Sequence, residues 1–221
     1  MKYIFSFFLL FVAFIGYSQK DSLEIGDKYW EDQFYININY NVLHNQPSEI
    51  GSNGFSYGFS VGYIKDIPFT TKGNSAFGIG LGYGFDSFNH GLKVSETSSV
   101  FDTAVNISDN KIKLHSIEMP IQFRWRTSTA TKYSFFRCYL GATISYNFSN
   151  TFRYTESNQA INLSNIQAYN NWQTGLTMSI GYGTFNFYGY YGLSPLFKEA
   201  TLNGNKIDTR MFKLGLSFYL L

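Results

Sequence analysis

The stretch Phe77-Gly78-Ile79-Gly80-Leu81-Gly82-Tyr83-Gly84-Phe85 alternates a large apolar residue with glycine at every step. A period of two sends the two sets to opposite faces of a β-strand. In a soluble sandwich the second face would be polar, not bare glycine. A face without volume suits a small closed barrel, where side chains from facing strands fill the scarce interior. The bulky face is then free to meet lipid. Seven further stretches carry related patterns, so the chain reads as all-β, an eight-stranded antiparallel transmembrane β-barrel of the bacterial outer membrane.

The outward and inward sets follow strand by strand. Phe34, Ile36, Ile38, Tyr40 and Val42 face out, while Tyr35, Asn37, Asn39 and Asn41 face in. In the second strand Phe55, Tyr57, Phe59, Val61 and Tyr63 oppose Ser56, Gly58, Ser60 and Gly62. The fourth spans about Leu114 to Trp125, with Ser116, Glu118, Gln122 and Arg124 inward, and Pro120 is expected to mark a local bulge because proline cannot donate to a ladder. Strand five covers Phe136 to Phe148 and strand six Trp172 to Tyr182. In strand seven, Phe185 to Leu193, the phenylalanines point out and Tyr188 and Tyr190 fill space beside glycines. Strand eight closes the chain with Phe212, Leu214, Leu216, Phe218 and Leu220 outward.

Composition agrees. Charged residues are 14% of the chain against roughly a quarter in soluble domains, and aromatics are 20%. A net charge of +2 makes no case for nucleic acid. The lone Cys138 excludes an internal disulfide and a multi-thiolate metal site. Lys2, the apolar run Ile4 to Ile15 and the small residues of Gly16-Tyr17-Ser18 form a secretory signal, cleaved after Ser18. The expected organisation is signal peptide 1–18, periplasmic lead-in 19–33 with Trp30 at the membrane interface, and barrel 34–221.

With eight strands the connections sort by length. Lys65 to Asn74, Thr127 to Ser134 and Gly183-Thr184 fall at one end; His44 to Asn53, Ser87 to Asn110, Asn150 to Asn170 and Ser194 to Ile207 fall at the other. Bacterial barrels carry short periplasmic turns and long outer loops, so both termini are expected in the periplasm.

Catalytic groups are hard to assemble. His115, Ser116 and Glu118 invite comparison with a lipid deacylase, but adjacent strand residues point to opposite faces and cannot share the required hydrogen bond. Inward charges are more telling: Glu118, Arg124, Arg137 and Lys213 are expected to pair across the interior as a structural network, with Lys65 and Asp66 near the periplasmic rim. Eight strands leave room for side chains but not for a water-filled pore. The ending Lys213-Leu214-Gly215-Leu216-Ser217-Phe218-Tyr219-Leu220 resembles the signal that the outer-membrane assembly machinery reads, with Lys213, Gly215, Phe218 and Leu220 as its matching positions.

Five segments resemble the PorT family of Bacteroidota: Trp30 to Tyr35, Ile64 to Pro68, Glu118 to Thr129, Ala200 to Asp208 and the terminal strand. That resemblance implies an outer-membrane barrel required for type nine protein secretion and, in gliding bacteria, for export of the adhesins used in movement. It implies no catalytic residues. The expected partners are outer-membrane lipid, the barrel assembly machinery and other secretion-system proteins, with no nucleic acid, small-molecule substrate, metal or cofactor. Lys65, Asp66, Pro68, Arg126 and Thr127 are the candidate periplasmic partner surface. The alternative is a small binding or adhesion barrel that acts through its extracellular loops.

Overall fold

The computed structural model describes residues 32–47, 54–70, 73–94, 100–103, 107–127, 136–156 and 158–220. The signal peptide and the lead-in through Glu31, Trp30 included, lie outside the described residues. In chain order the strands are β1 (Gln33–His44), β2 (Tyr57–Pro68), β3 (Ser75–Asn89), β4 (Leu92–Lys93), β5 (Val100–Thr103), β6 (Ile107–Arg126), β7 (Phe136–Glu156), β8 (Gln159–Ser164), β9 (Trp172–Tyr182), β10 (Phe185–Gly192), β11 (Thr201–Leu202), β12 (Asn205–Lys206) and β13 (Arg210–Leu220).

Eight of these close a ring in the order β1-β2-β3-β6-β7-β9-β10-β13, each antiparallel to its neighbours, with β13 returning to β1. Closure removes the free edges, so backbone donors and acceptors are satisfied between strands, as a chain in hydrocarbon requires. The exterior is apolar: Phe34, Leu81, Phe185 and Phe187 are each more than half exposed. An apolar band of this extent, wrapped around a closed barrel, is a lipid-facing surface.

Inside, the glycine face of β3 is where long side chains from other strands come to rest. A Cβ on Gly82 would meet the Tyr35 hydroxyl, one on Gly84 the Glu118 carboxylate, and one on Gly78 the Arg124 stem at 2.8 Å. Bulk from facing strands therefore replaces the volume that the glycines omit. A cavity among Tyr35, Glu118, Gln122, Tyr188 and Tyr219 measures only about 10 Å³, room for about one water.

Several sequence expectations need correction. The segment from Lys65 is not a turn until Phe69, because β2 runs through Pro68 and keeps its alternation, with Lys65 and Ile67 out and Asp66 and Pro68 in. Pro120 makes no bulge: it pairs with Thr143 of β7, and β3 keeps one register on either side while skipping the Pro120 and Met119 positions. The missing N–H interrupts the ladder on the β3 side without shifting it. Irregularity falls instead at His115/Ser116, which face Ser149 and Asn147, so Phe148 is the extra residue of a bulge on β7.

That bulge reverses the parity of β7. Below it Tyr146 and Phe148 are outside; above it Phe152 and Tyr154 are buried and Arg153 is exposed. Re-aiming side chains is a characteristic consequence of a bulge. It lets β7 continue to Glu156 and feed apolar residues into the barrel mouth, although the sequence reads as polar loop from Asn150.

At this long-loop end the connections are packed together. The short strands β12-β11-β5-β4 make a second sheet, in which β11 and β5 run parallel, and β8 folds back on β7. Beneath them lies an apolar core that includes Phe88, Leu92, Phe101, Ile112, Leu114, Phe152, Tyr169, Leu196, Phe197, Leu202, Ile207 and Met211. Phe197 sits at its centre, with ring centroids 5.0 Å from Phe101, 6.1 Å from Phe152 and 6.4 Å from Tyr169. The barrel mouth is thus covered by a folded cap.

Candidate functional site

At the short-turn end the inward charges converge on one carboxylate. Asp66 on β2 receives Arg124 Nη1 on one oxygen and Arg126 Nη2 on the other, each at 2.7 Å, and all three side chains are fully buried. Strand alternation explains the meeting: Asp66 pairs with Gly78 of β3, which in turn pairs with Gln122 of β6, and the absent side chain at Gly78 opens the path between them. Arg124 also donates to Gln33 Oε1 of β1 and stacks over the Tyr139 ring at 4.3 Å. Tyr139 packs edge-on against Tyr219 of β13, with centroids 5.2 Å apart. Arg137 lies 5.9 Å from the same Tyr219 ring and donates to the Gly183 carbonyl in the β9–β10 turn. The guanidiniums are thereby held by charge, by carbonyl oxygen and by aromatic faces.

The N-terminal side of β1 is fastened to the same place. Asp32 accepts from Lys65 Nζ and Tyr63 Oη, both at 2.7 Å, and from the Asp66 backbone N–H at 2.9 Å. Lys65 remains half exposed and Thr127 is exposed. Asp66, Arg126 and Pro68 are buried, which corrects their assignment to a partner surface: they belong to the interior and to its wall. The signal was present in the sequence, because Asp66 continues the inward parity of Ser60 and Gly62, and Arg126 that of Arg124.

A second ionic layer lies nearer the cap. Lys213 Nζ is 2.5 Å from Asp86 Oδ2, Asn41 donates to Asp86 Oδ1 at 2.9 Å, and the Tyr190 ring lies 5.1 Å from the ammonium. Glu118 faces this layer with its carboxylate over Gly84, but it has no ion-pair partner among the described residues, contrary to the expected cross-barrel pairing. Asp86, the partner that sequence reasoning passed over, continues the inward parity of the β3 glycines. Gly215 lies on the inner face against Asn39 and the Ile38 carbonyl, while Phe218 and Leu220 face out.

His115 and Ser116 point to opposite sides. The Ser116 hydroxyl is buried, and His115 Nδ1 is 2.6 Å from the Tyr83 hydroxyl within an outward cluster that includes Phe85 and Phe148. Those two side chains cannot form a nucleophile–base pair.

The model of the outer membrane protein beta-barrel domain family matches residues 17–198. The chain belongs to that family. Among solved structures it is similar to the crystal structure of Ail, the attachment invasion locus protein of Yersinia pestis, at 15% identity over 86% of this chain and 99% of that one, with a TM-score of 0.38. Ail in complex with the heparin analogue sucrose octasulfate compares at 14% identity, the same coverage and the same TM-score. Among curated proteins no sequence match is found. Family membership makes this a small outer-membrane β-barrel, in agreement with the closed ring and its apolar exterior.

Proposed function

We propose that this outer-membrane barrel is a non-enzymatic component of type nine protein secretion that works from its short-turn end. One observation carries the reading. Three of the segments that resemble PorT contribute Asp32 and Gln33, Lys65 and Asp66, and Arg124 and Arg126, and these residues meet at one end of the barrel. Segments far apart in the chain that share a resemblance and also share a site are best explained by a common role there. Buried Asp66, Arg124 and Arg126 set the shape of that end, and exposed Lys65 and Thr127 are the groups offered to a partner.

The proposed orientation puts the short turns and both termini in the periplasm, on the loop-length asymmetry usual for bacterial barrels. Side chains occupy the interior and a cap covers one mouth, so the barrel serves assembly or gating of other components and not passage of cargo through itself. No cofactor or small-molecule substrate enters this reading. Deleting the gene tests it: type nine cargo should accumulate in the periplasm, and gliding should cease in a gliding host. Normal cargo export in the deletion strain would remove the secretion role.

A second reading is favoured by the cap. Its apolar core gives the long loops a fixed shape, as a binding or adhesion surface needs. Loss of surface attachment with intact cargo export would select it.

A further inference from the structure

The outer wall of the barrel carries a cationic pocket just beyond its aromatic girdle. Lys111 and Lys113 on β6 and Arg153 on β7 line a cavity of about 260 Å³ together with Phe55, Tyr57 and Ser87. All three cations are exposed, and none has an ion-pair partner among the described residues. Lys111 and Arg153 stand directly opposite each other in the β6–β7 ladder. Like charges placed so are destabilising unless an anion joins them. Arg153 reaches this face only because the Phe148 bulge reverses the parity of β7; without it the guanidinium would point inward.

Depth identifies the anion. Ser87 pairs with Lys113, and Phe85, two residues nearer the barrel centre on the same face, pairs with His115. Phe85, His115, Tyr83 and Phe148 form a contiguous outward aromatic cluster. Aromatic girdles mark the membrane–water interface. Lys113 therefore sits about 7 Å, and Lys111 and Arg153 about 13 Å, beyond the girdle residues along the strands, in the headgroup region. Phe55, two residues before β2, and Tyr57 at its start flank them with exposed rings suited to the upper part of an acyl chain.

We propose that Lys111, Lys113 and Arg153 bind the phosphate of a phosphorylated lipid in the leaflet around the long-loop end. A bound phosphate would neutralise the Lys111–Arg153 opposition and fix the barrel's rotational setting against its lipid. The site is independent of the secretion reading, because it lies on the outer wall at the other end of the barrel.

The test uses the full mature chain refolded in detergent, with lipid A or its dephosphorylated form added and bound lipid counted by native mass spectrometry. Wild type should retain lipid A about tenfold or more over the dephosphorylated form, given the contribution of each interfacial cation. The variant K111A/K113A/R153A should lose that preference, and K111R/K113R/R153K should keep it. Folding is read from the SDS-resistant band; if the alanine variant does not fold, Arg153→Glu alone makes the same comparison at an exposed position. Equal retention of the two lipids by wild type, or an unchanged preference in the alanine or glutamate variant, would overturn the proposal. Displacement of lipid A by soluble heparin at equal phosphate and sulfate concentrations would overturn it in favour of a soluble polyanion site.

Discussion

Asp66 and Arg124 meet inside the barrel with carboxylate and guanidinium 2.7 Å apart and neither side chain exposed. Because Arg126 takes the other Asp66 oxygen, one carboxylate joins β2 to two positions of β6 across the intervening strand β3. Removing one partner of a buried pair typically costs about 3–5 kcal/mol, since the remaining charge stays buried. Asp66→Asn should therefore lower the temperature at which the SDS-resistant folded band disappears far more than Asp32→Asn, whose partner Lys65 is half exposed. Equal shifts for the two variants would mean that Asp66 is solvated.

Glu118 gives the complementary case. Half-buried and without an ion-pair partner among the described residues, it should tolerate Glu118→Gln better than Asp86 tolerates Asp86→Asn, which strands Lys213. The same melting assay ranks the two, and the reverse order would show that Glu118 carries the Lys213 charge.

Two changes test the cap. Phe152, near the top of β7, is fully buried in the core beneath the cap and packs against Phe197, so Phe152→Ala should cost about 3–5 kcal/mol of cap stability. Limited proteolysis should then cut within residues 157–171 while the SDS-resistant barrel persists. Uncut loops would contradict the packed cap.

Acid should loosen the same cap. His90, in the cap beyond β3, has its imidazole pushed down to about 4 by burial, and its Nδ1 accepts from the Leu92 N–H at 3.1 Å. The folded value lies below the unfolded one, so the unfolded cap binds more protons between them. Stability is complete above about 6.5 and falls as pH drops towards about 4, by at most about 3 kcal/mol. Protease sensitivity of the loops should rise over that window and stay flat in His90→Phe. An identical pH profile in His90→Phe would assign the effect to another group.

Orientation is open to labelling. In a Cys138→Ser background, a cysteine at exposed Asn158 should react with an impermeant reagent on whole cells, and one at exposed Thr70 should not. Labelling at Thr70 alone would invert the barrel.

The ring was legible in the sequence because alternation is a local property, and it held wherever parity was unbroken. Strand β7 shows where it failed. One extra residue at Phe148 exchanges the faces, so the alternation breaks there and the polar residues from Asn150 read as a loop, Phe152 included. Asp66 and Arg126 were within reach, since each continues an inward parity, but Pro68 and Gly73 mark a turn from Lys65, and strand four reads as ending at Trp125, one residue short of Arg126. Nothing local marked the cap. Its core draws single apolar residues such as Phe101, Tyr169, Phe197 and Ile207 from three separate connections, each polar in composition, and only three-dimensional packing joins them.

The central claim is that secretion depends on the short-turn end. Its most direct measurement is cargo export in a deletion strain complemented by either of two variants, with SDS-resistant folding checked for both. One carries Lys65→Glu and Thr127→Arg, which alter exposed groups without touching Asp66; the other has the β7–β8 hairpin trimmed at residues 157–160. The account expects cargo retained in the periplasm with the first and normal export with the second. Normal export with the first and retention with the second would contradict it and move the function to the cap.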